Sequence, residues 1–204
     1  MMVEGAVVLK SLIDVTDRVR TWVDHRNLKA NQRFAQLLEP TFNDLTIIHT
    51  DYLIMFNKVL SMLPAAEEET RLTPKEVKRA IEATTWLAEN RLKFVTLREK
   101  MRAVATEAAQ VSLPKDENDF VAAMADYFSE LSLFSGNSTP SNALKGSLEE
   151  FVKEAKSTGA DQEFLVHRAR RIRWSIDHIL SEQERHWKNI LNRFTRLKIT
   201  AAKR

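Results

Sequence analysis

The chain has 204 residues, of which 44% are hydrophobic and 29% charged, with 4 Gly, 5 Pro and no Cys. This size allows a substantial core, and the scarcity of helix breakers favours long helices over strands. The lack of cysteine excludes disulfides, thiolate nucleophiles, zinc fingers and iron–sulfur clusters. The composition therefore predicts an all-α protein.

The start of the chain, MMVEGAVVLK, lacks the basic region and the small-residue cleavage site of a signal peptide. No run of about 20 uncharged apolar residues occurs, so no membrane span is expected. A glycine-rich phosphate loop and a GxSxG elbow are also missing. We therefore expect a cytoplasmic protein that carries no cofactor.

Two stripes of apolar residues at helical spacing precede Pro64. The first reaches Pro40, which cannot donate to the helical ladder and should end or kink the helix. The second runs from Phe42 to Leu63. These patterns predict an N-terminal helical hairpin over residues 1–63, closed by Pro64.

The next helix has a clear start signal in Thr73, Pro74 and Glu76. A hydroxyl N-cap, a proline at the first helical position and a glutamate three residues after the cap together form a capping box. No breaker follows until Pro114. The sequence predicts a central helix of about forty residues over 73–113.

Shorter helices are expected over residues 116–158. Asp116 and Asp119 can cap the first of them. The stretch SGNSTPSN, residues 135–142, is typical of a loop, and Gly159 is well placed to end the second helix.

The last segment, residues 161–201, contains neither Gly nor Pro. Its apolar positions alternate steps of three and four residues, which is the spacing of a coiled-coil seam. We call this set the seam: Leu165, Ala169, Ile172, Ile176, Ile179, Gln183, Trp187, Ile190, Phe194 and Leu197. The whole pattern predicts a single domain over 1–204, an elongated antiparallel helical bundle with two helices near forty residues.

Charge is unevenly distributed along the chain. Residues 116–163 carry 10 acidic and 3 basic side chains, whereas residues 164–204 carry 3 acidic and 11 basic ones. The basic helix can therefore bind nucleic acid or a protein partner, or it can pack beside the acidic segment of the same chain. The candidate contact residues are Arg168, Arg170, Arg173, Trp174, Lys188, Arg193 and Arg196. Because Trp174 lies off the seam, we expect it to make a second buried contact, within the bundle or with another chain.

One short pattern occurs twice, as RVRTWVDH at residues 18–25 and as RIRWSIDH at residues 171–178. Arg171 and His178 are seven residues apart and so share one face of a helix. An arginine followed by a histidine on a late helix resembles the signature of the HEPN family of helical ribonucleases. The resemblance implies metal-independent RNA cleavage, with His178 in proton transfer and Arg171 or Arg173 stabilising phosphate charge.

A metal site is not expected. His178, Glu182 and His186 follow at four-residue spacing. However, neither the HExxH zinc signature nor the Glu-x-x-His pair of di-iron bundles is present.

The interpretation that these observations favour is a non-catalytic helical interaction protein: a scaffold, an adaptor or a subunit of a larger complex. Long amphipathic helices provide contact surfaces for a protein partner or for self-association. Two alternatives remain open, a HEPN-like ribonuclease and a nucleic-acid-binding accessory subunit that binds through residues 164–204.

Overall fold

The computed structural model describes residues 29–63, 71–109, 113–128 and 140–203, and the regular structure of these residues is entirely helical. Helix α1 consists of three adjoining stretches, Ala30–Arg33, the π-helical Phe34–Leu38, and Glu39–Met62. It is followed by α2 (Pro74–Ala109), α3 (Lys115–Phe128), α4 (Pro140–Ala155) and α5 (Gln162–Ala202). The predicted all-α class is confirmed.

Pro40 lies inside α1, and the helix does not end there. The turn before it is widened, since the amide of Glu39 donates to the carbonyl of Phe34, five residues earlier. The hydroxyl of Thr41 then donates to the carbonyl of Leu37 at 2.6 Å. A π-turn and a side-chain donor thus accommodate the missing N–H and the bulk of the proline ring.

Of the two outcomes expected at Pro40, an end or a kink, the helix does not end there: α1 runs to Met62, just before Pro64. The turn of the predicted 1–63 hairpin is therefore not at Pro40. Residues 1–28, which would form its other arm, lie outside the described residues, as do Arg18 and His25 of the repeated octapeptide.

The start of α2 follows the predicted capping box. The amide of Glu76 donates to the hydroxyl of Thr73 at 3.3 Å, and the amide of Thr73 donates back to the Glu76 carboxylate at 2.7 Å. Each side chain therefore satisfies an amide that has no partner in the helix itself.

The boundaries of the two short helices differ slightly from those expected. Helix α3 begins at Lys115, so Asp116 lies in its first turn instead of at its cap. Helix α4 begins at Pro140, inside the stretch expected to be a loop, because proline is well tolerated at a first helical position. Gly159 follows α4 with φ of +81°, the left-handed conformation that favours glycine after a helix.

Helix α5 has 41 residues and α2 has 36. The prediction of two helices near forty residues is therefore not confirmed, since only the C-terminal helix reaches that length. Residues 110–112, at the expected end of the central helix, lie outside the described part of the chain.

The chain divides into two compact units. In unit 1 the described residues are 29–50, 95–109, 113–128 and 183–203, which belong to α1, α2, α3 and α5. Its core is aromatic and aliphatic, and Phe120, Met124 and Tyr127 of α3 are fully buried in it. Helix α1 contributes Leu45 and Ile48, in agreement with the predicted stripe.

In unit 2 the described residues are 51–63, 71–94 and 140–182, from α1, α2, α4 and α5. Its core contains Tyr52 and Phe56 from α1, Leu87 from α2, Phe151 from α4 and Ile176 from α5. The three long helices, α1, α2 and α5, thus contribute residues to both units, whereas α3 belongs to unit 1 and α4 to unit 2. The single domain over 1–204 stays a prediction.

No helix among the described residues has the length and the apolar character needed to cross a membrane.

Candidate partner-binding surface

The seam of α5 packs against other helices of the same chain. Eight of its ten residues are buried, seven of them in the cores of the two units, and Trp187 and Phe194 pack partly buried against the core of unit 1. The face of α5 that the sequence pattern marks as a coiled-coil seam is therefore not available to another chain.

The opposite face of α5 in unit 2 carries a second, outward line of side chains at steps of three and four residues. We call it the outer stripe: Phe164, His167, Arg171, Trp174 and His178. Four of these residues are exposed and His178 is half-buried.

Trp174 is the fourth of the five residues of the outer stripe and is 64% exposed. Its indole is stacked parallel on the imidazole of His178, with the ring centroids 5.5 Å apart and the planes at 4°. A buried contact for Trp174 within the bundle was one of two expectations from the sequence, and the structure overturns it. The indole is held in place by its neighbour on the same helix and points away from the core.

Arg171 and His178 lie on the outer stripe, as the octapeptide pattern predicts. They are two helical turns apart, about 10 Å along the helix axis, and the indole of Trp174 lies on the His178 ring between them. Arg171 is exposed and forms no ion pair with another described residue. Arg173, the other arginine that the resemblance suggests for stabilising phosphate charge, is directed towards the end of α1.

Arg173 caps the end of α1. Its guanidinium donates to the carbonyl oxygens of Leu60 and Leu63, at 3.2 and 3.3 Å. The last carbonyls of a helix have no partners of their own, so this cation supplies both hydrogen bonds and favourable charge at the C-terminal end.

Two more of the candidate contact residues, Arg168 and Arg193, are held by carboxylates of other helices of the same chain. Arg168 pairs with Glu150 of α4 and lies over the ring of Phe164. Arg193 pairs with Asp119 of α3. Both carboxylates belong to the acidic segment 116–163, so part of the basic helix does pack beside it.

The remaining basic candidates lie on the surface. Lys188 pairs with Glu184 one turn earlier on α5, at 2.9 Å. Arg170 and Arg196 are exposed on α5. The basic candidates thus fall into three groups: Arg168 and Arg193 pair with the acidic segment, Arg173 binds the end of α1, and Arg170, Lys188 and Arg196 are on the surface.

A polar cluster in the core of unit 1 was missed by reasoning from the sequence. His49 is only 6% exposed, and its Nδ1 lies 2.9 Å from the hydroxyl of Tyr127. Its ring is stacked on that of Trp187, with centroids 4.3 Å apart. His49 lies four residues after Leu45 and three before Tyr52, and this helical spacing to two residues of the core stripe is the signal that indicates its burial.

A cavity of about 170 Å³ lies in unit 1 beside the start of α3. Its lining is mostly apolar, including Phe34, Leu38 and Leu197. The two carboxylates at its edge already have partners, because Glu117 accepts a hydrogen bond from Arg33 and Asp116 accepts one from Thr200. The lining also includes the exposed Lys115 at the start of α3.

Among the described residues, no group of three or more His, Asp or Glu side chains is placed to hold a metal ion. Comparison with protein-family models, with curated proteins and with solved structures gives no match.

Proposed function

We propose that this protein is a non-catalytic helical interaction protein, a scaffold, adaptor or subunit, which binds a partner protein through the outer stripe of α5. The observation that carries the proposal is the exposure of Trp174 on that stripe, where the residue is 64% exposed. Tryptophan and arginine are the residues most enriched at the energetic centres of protein interfaces.

The rest of α5 supports this assignment. Its seam is already buried in the two cores, so the hydrophobic side chains on the opposite face have no role in those cores. Phe164 is 41% exposed at one end of the stripe, and Trp174 lies ten positions further on. Two large apolar anchors on one helical face, with polar residues between them, suit a partner that presents its own amphipathic helix.

The charges on the stripe define the chemistry of the partner. Its five members include one arginine and two histidines and no carboxylate. A partner helix with acidic side chains beside its apolar face would complement this surface, and the ion pairs would strengthen at low salt. We therefore propose an acidic amphipathic helix as the occupant, and a second copy of this chain is one outcome that the experiment separates.

Two alternatives from the sequence rest on the same stripe. The shared face of Arg171 and His178 favours a HEPN-like ribonuclease. The exposed Trp174 beside arginines favours a nucleic-acid-binding subunit, since indoles stack on bases. Against both, Arg168, Arg173 and Arg193 are engaged within the chain and do not extend a continuous track for phosphates.

The first experiment introduces a photo-crosslinking amino acid at position 174 in cells and identifies the protein that it captures. The purified partner is then titrated against the wild type, Trp174→Ala and Ile54→Ala. Ile54 is a matched control, because it is an exposed apolar residue of unit 2 on another helix, 59% accessible.

We expect Trp174→Ala to weaken binding at least about tenfold and Ile54→Ala to leave it unchanged, since truncating a central anchor typically costs 2 kcal/mol or more. Equal affinities for all three proteins would overturn the proposal. Capture of the same chain at position 174, with loss of the dimer in Trp174→Ala, would identify self-association instead.

Labelled mixed RNA in EDTA, incubated with the wild type and with His178→Ala, tests the alternatives. Cleavage by the wild type that is lost in His178→Ala would establish the ribonuclease. Binding without cleavage, falling steeply with salt, would establish the nucleic-acid-binding subunit. We also propose a cytoplasmic location, which cell fractionation tests.

A further inference from the structure

Each large apolar residue of the outer stripe contacts the residue four positions later on α5. The indole of Trp174 and the imidazole of His178 are stacked, with their planes at 4° and their centroids 5.5 Å apart. The guanidinium of Arg168 lies over the ring of Phe164, 5.5 Å from its centroid. Residues four apart are neighbours on a helix surface, and the later side chain leans back over the earlier turn. Each exposed ring is therefore supported on one side by a planar group of the same helix.

We infer that His178 is a positioning residue for Trp174: its ring holds the indole in one outward conformation, so that the partner meets a preformed anchor. This role rests on the proposed function and goes beyond it, because it gives His178 a task that requires neither catalysis nor direct contact with the partner. Binding is stronger when the contact residues are already ordered in the free protein.

The two rings differ in burial, and this difference explains which of them orders the other. Trp174 is 64% exposed, so little of its surroundings restricts the torsion angles of its side chain. His178 is half-buried and directly precedes Ile179 of the core of unit 2. A partly buried ring has fewer conformations open to it than an exposed one. The stack therefore extends the order of His178 to the indole.

Arg168 provides the same kind of support at the other end of the stripe. Its ion pair with Glu150 of α4 holds the guanidinium beside Phe164. This second contact involves neither Trp174 nor His178, so it stays in place when only one of those two residues is changed. The effect of the His178 ring can therefore be measured alone.

The size of the effect follows from the rotamers of tryptophan. Within a helix, χ1 has about two common values and χ2 about two. If the stack selects one of these roughly four combinations, only about a quarter of the protein is competent to bind without it. The apparent Kd rises by the inverse of that fraction, which is about fourfold.

The first measurement is made on the free, full-length protein. Relaxation of the indole Nε1–H group in ¹⁵N NMR reports how ordered the Trp174 ring is, and Trp174→Ala assigns its signal. The variants are His178→Ala, which removes the ring, and His178→Phe, which keeps one. His186→Ala is the matched control, because His186 is also half-buried on α5 but belongs to unit 1. Should His178→Ala not fold, His178→Gln removes the ring while keeping a longer polar side chain.

We expect the order parameter of the Trp174 indole to fall to below about 0.6 in His178→Ala and to stay at the wild-type value in His178→Phe and His186→Ala. The second measurement is the affinity for the purified protein that the crosslinker at position 174 captures. His178→Ala should bind it about fourfold more weakly than the wild type, and the other two variants should bind it equally well.

A double-mutant cycle separates positioning from direct contact. Once position 174 is alanine, His178→Ala should weaken binding no further, because a positioning residue acts only through the side chain that it holds. A weakening that persists in the Trp174→Ala background would refute the inference, since it would show that His178 itself contacts the partner.

Two other results would also refute it: an indole that stays ordered in His178→Ala, or a wild-type affinity of that variant while Trp174→Ala still binds weakly. The last result would leave the proposed function intact. Failure of the proposed function is recognised separately, because Trp174→Ala then binds like the wild type, and the role of His178 in binding is refuted with it.

Discussion

The guanidinium of Arg193 donates to the carboxylate of Asp119 at 3.0 Å, which joins the basic C-terminal helix to the acidic start of α3 within unit 1. In unit 2 the same helix pairs Arg168 with Glu150 of α4. The basic residues of 164–204 therefore form ion pairs with the acidic segment 116–163, one from α5 to each of the two short helices.

The ion pairs of α3 differ in burial, and this difference should appear in their contributions to stability. Arg33 and Glu117 pair at 3.1 Å with side chains only 15% and 12% exposed, whereas those of Arg193 and Asp119 are 33% and 35% exposed. We expect Glu117→Gln to lower the free energy of unfolding by about 2 kcal/mol, because it removes a charged hydrogen bond that is largely shielded from water.

Asp119→Asn, by contrast, should cost less than about 1 kcal/mol, since water screens the more exposed pair. Urea denaturation of both variants measures the difference. An equal loss in the two variants would show that burial does not distinguish these pairs.

Arg173 should contribute to stability through its cap on α1. Arg173→Met removes the hydrogen bonds to the carbonyls of Leu60 and Leu63, and we expect a loss of about 1–2 kcal/mol in urea denaturation. Arg171→Met, on the exposed side of the same helix, serves as the control and should change stability by less than about 0.5 kcal/mol. The reverse order would contradict a capping role.

The capping box of α2 can be tested in the same way. Thr73→Ala removes the hydroxyl that accepts from the Glu76 amide, and we expect thermal unfolding to show a loss of about 1 kcal/mol. Thr85→Ala is the control, because Thr85 is an exposed threonine within the same helix whose hydroxyl donates to the backbone carbonyl of Ile81, one turn earlier. Alanine is a good helix former, so this substitution should cost little. A loss as large for Thr85→Ala would argue against a specific cap.

The pKa of Glu184 should be lower than that of an ordinary glutamate, since Lys188 donates a hydrogen bond to its carboxylate and adds a positive charge beside it. The stabilising effect of this pair is present above the ordinary pKa and is lost as the pH falls through the lowered value. Carboxyl NMR in the wild type and in Lys188→Met checks this, and we expect the pKa to rise in the variant. An unchanged pKa would show that the pair does not persist in solution.

Much of the fold follows from local patterns that the sequence displays directly. The seam from Leu165 to Leu197, the stripe through Leu45, Ile48 and Tyr52, and the capping box at Thr73 and Glu76 all take the predicted positions. Hydrophobic spacing and capping depend on residues within a turn or two of each other, which is why one sequence is enough to recognise them.

The path of the chain at Pro40 could not be predicted in this way. A proline within a helix normally signals an end, yet residues on both sides of it pack into the core of unit 1, including Leu37 and Leu45. That burial, together with the bond from Thr41 to Leu37, keeps α1 continuous through a π-turn.

Local patterns in the sequence predict that this protein is helical, which faces of its helices are apolar, and that Arg171, Trp174 and His178 share a face away from the seam. The packing of the helices determines which charges are engaged within the chain, that Trp174 is exposed, and that His49 is buried against Tyr127 and Trp187. The physical reason is range: periodicity is set by near neighbours along one helix, whereas burial and ion pairing depend on side chains that are 74 to 78 residues apart in the sequence, as in Arg193 with Asp119 and His49 with Tyr127.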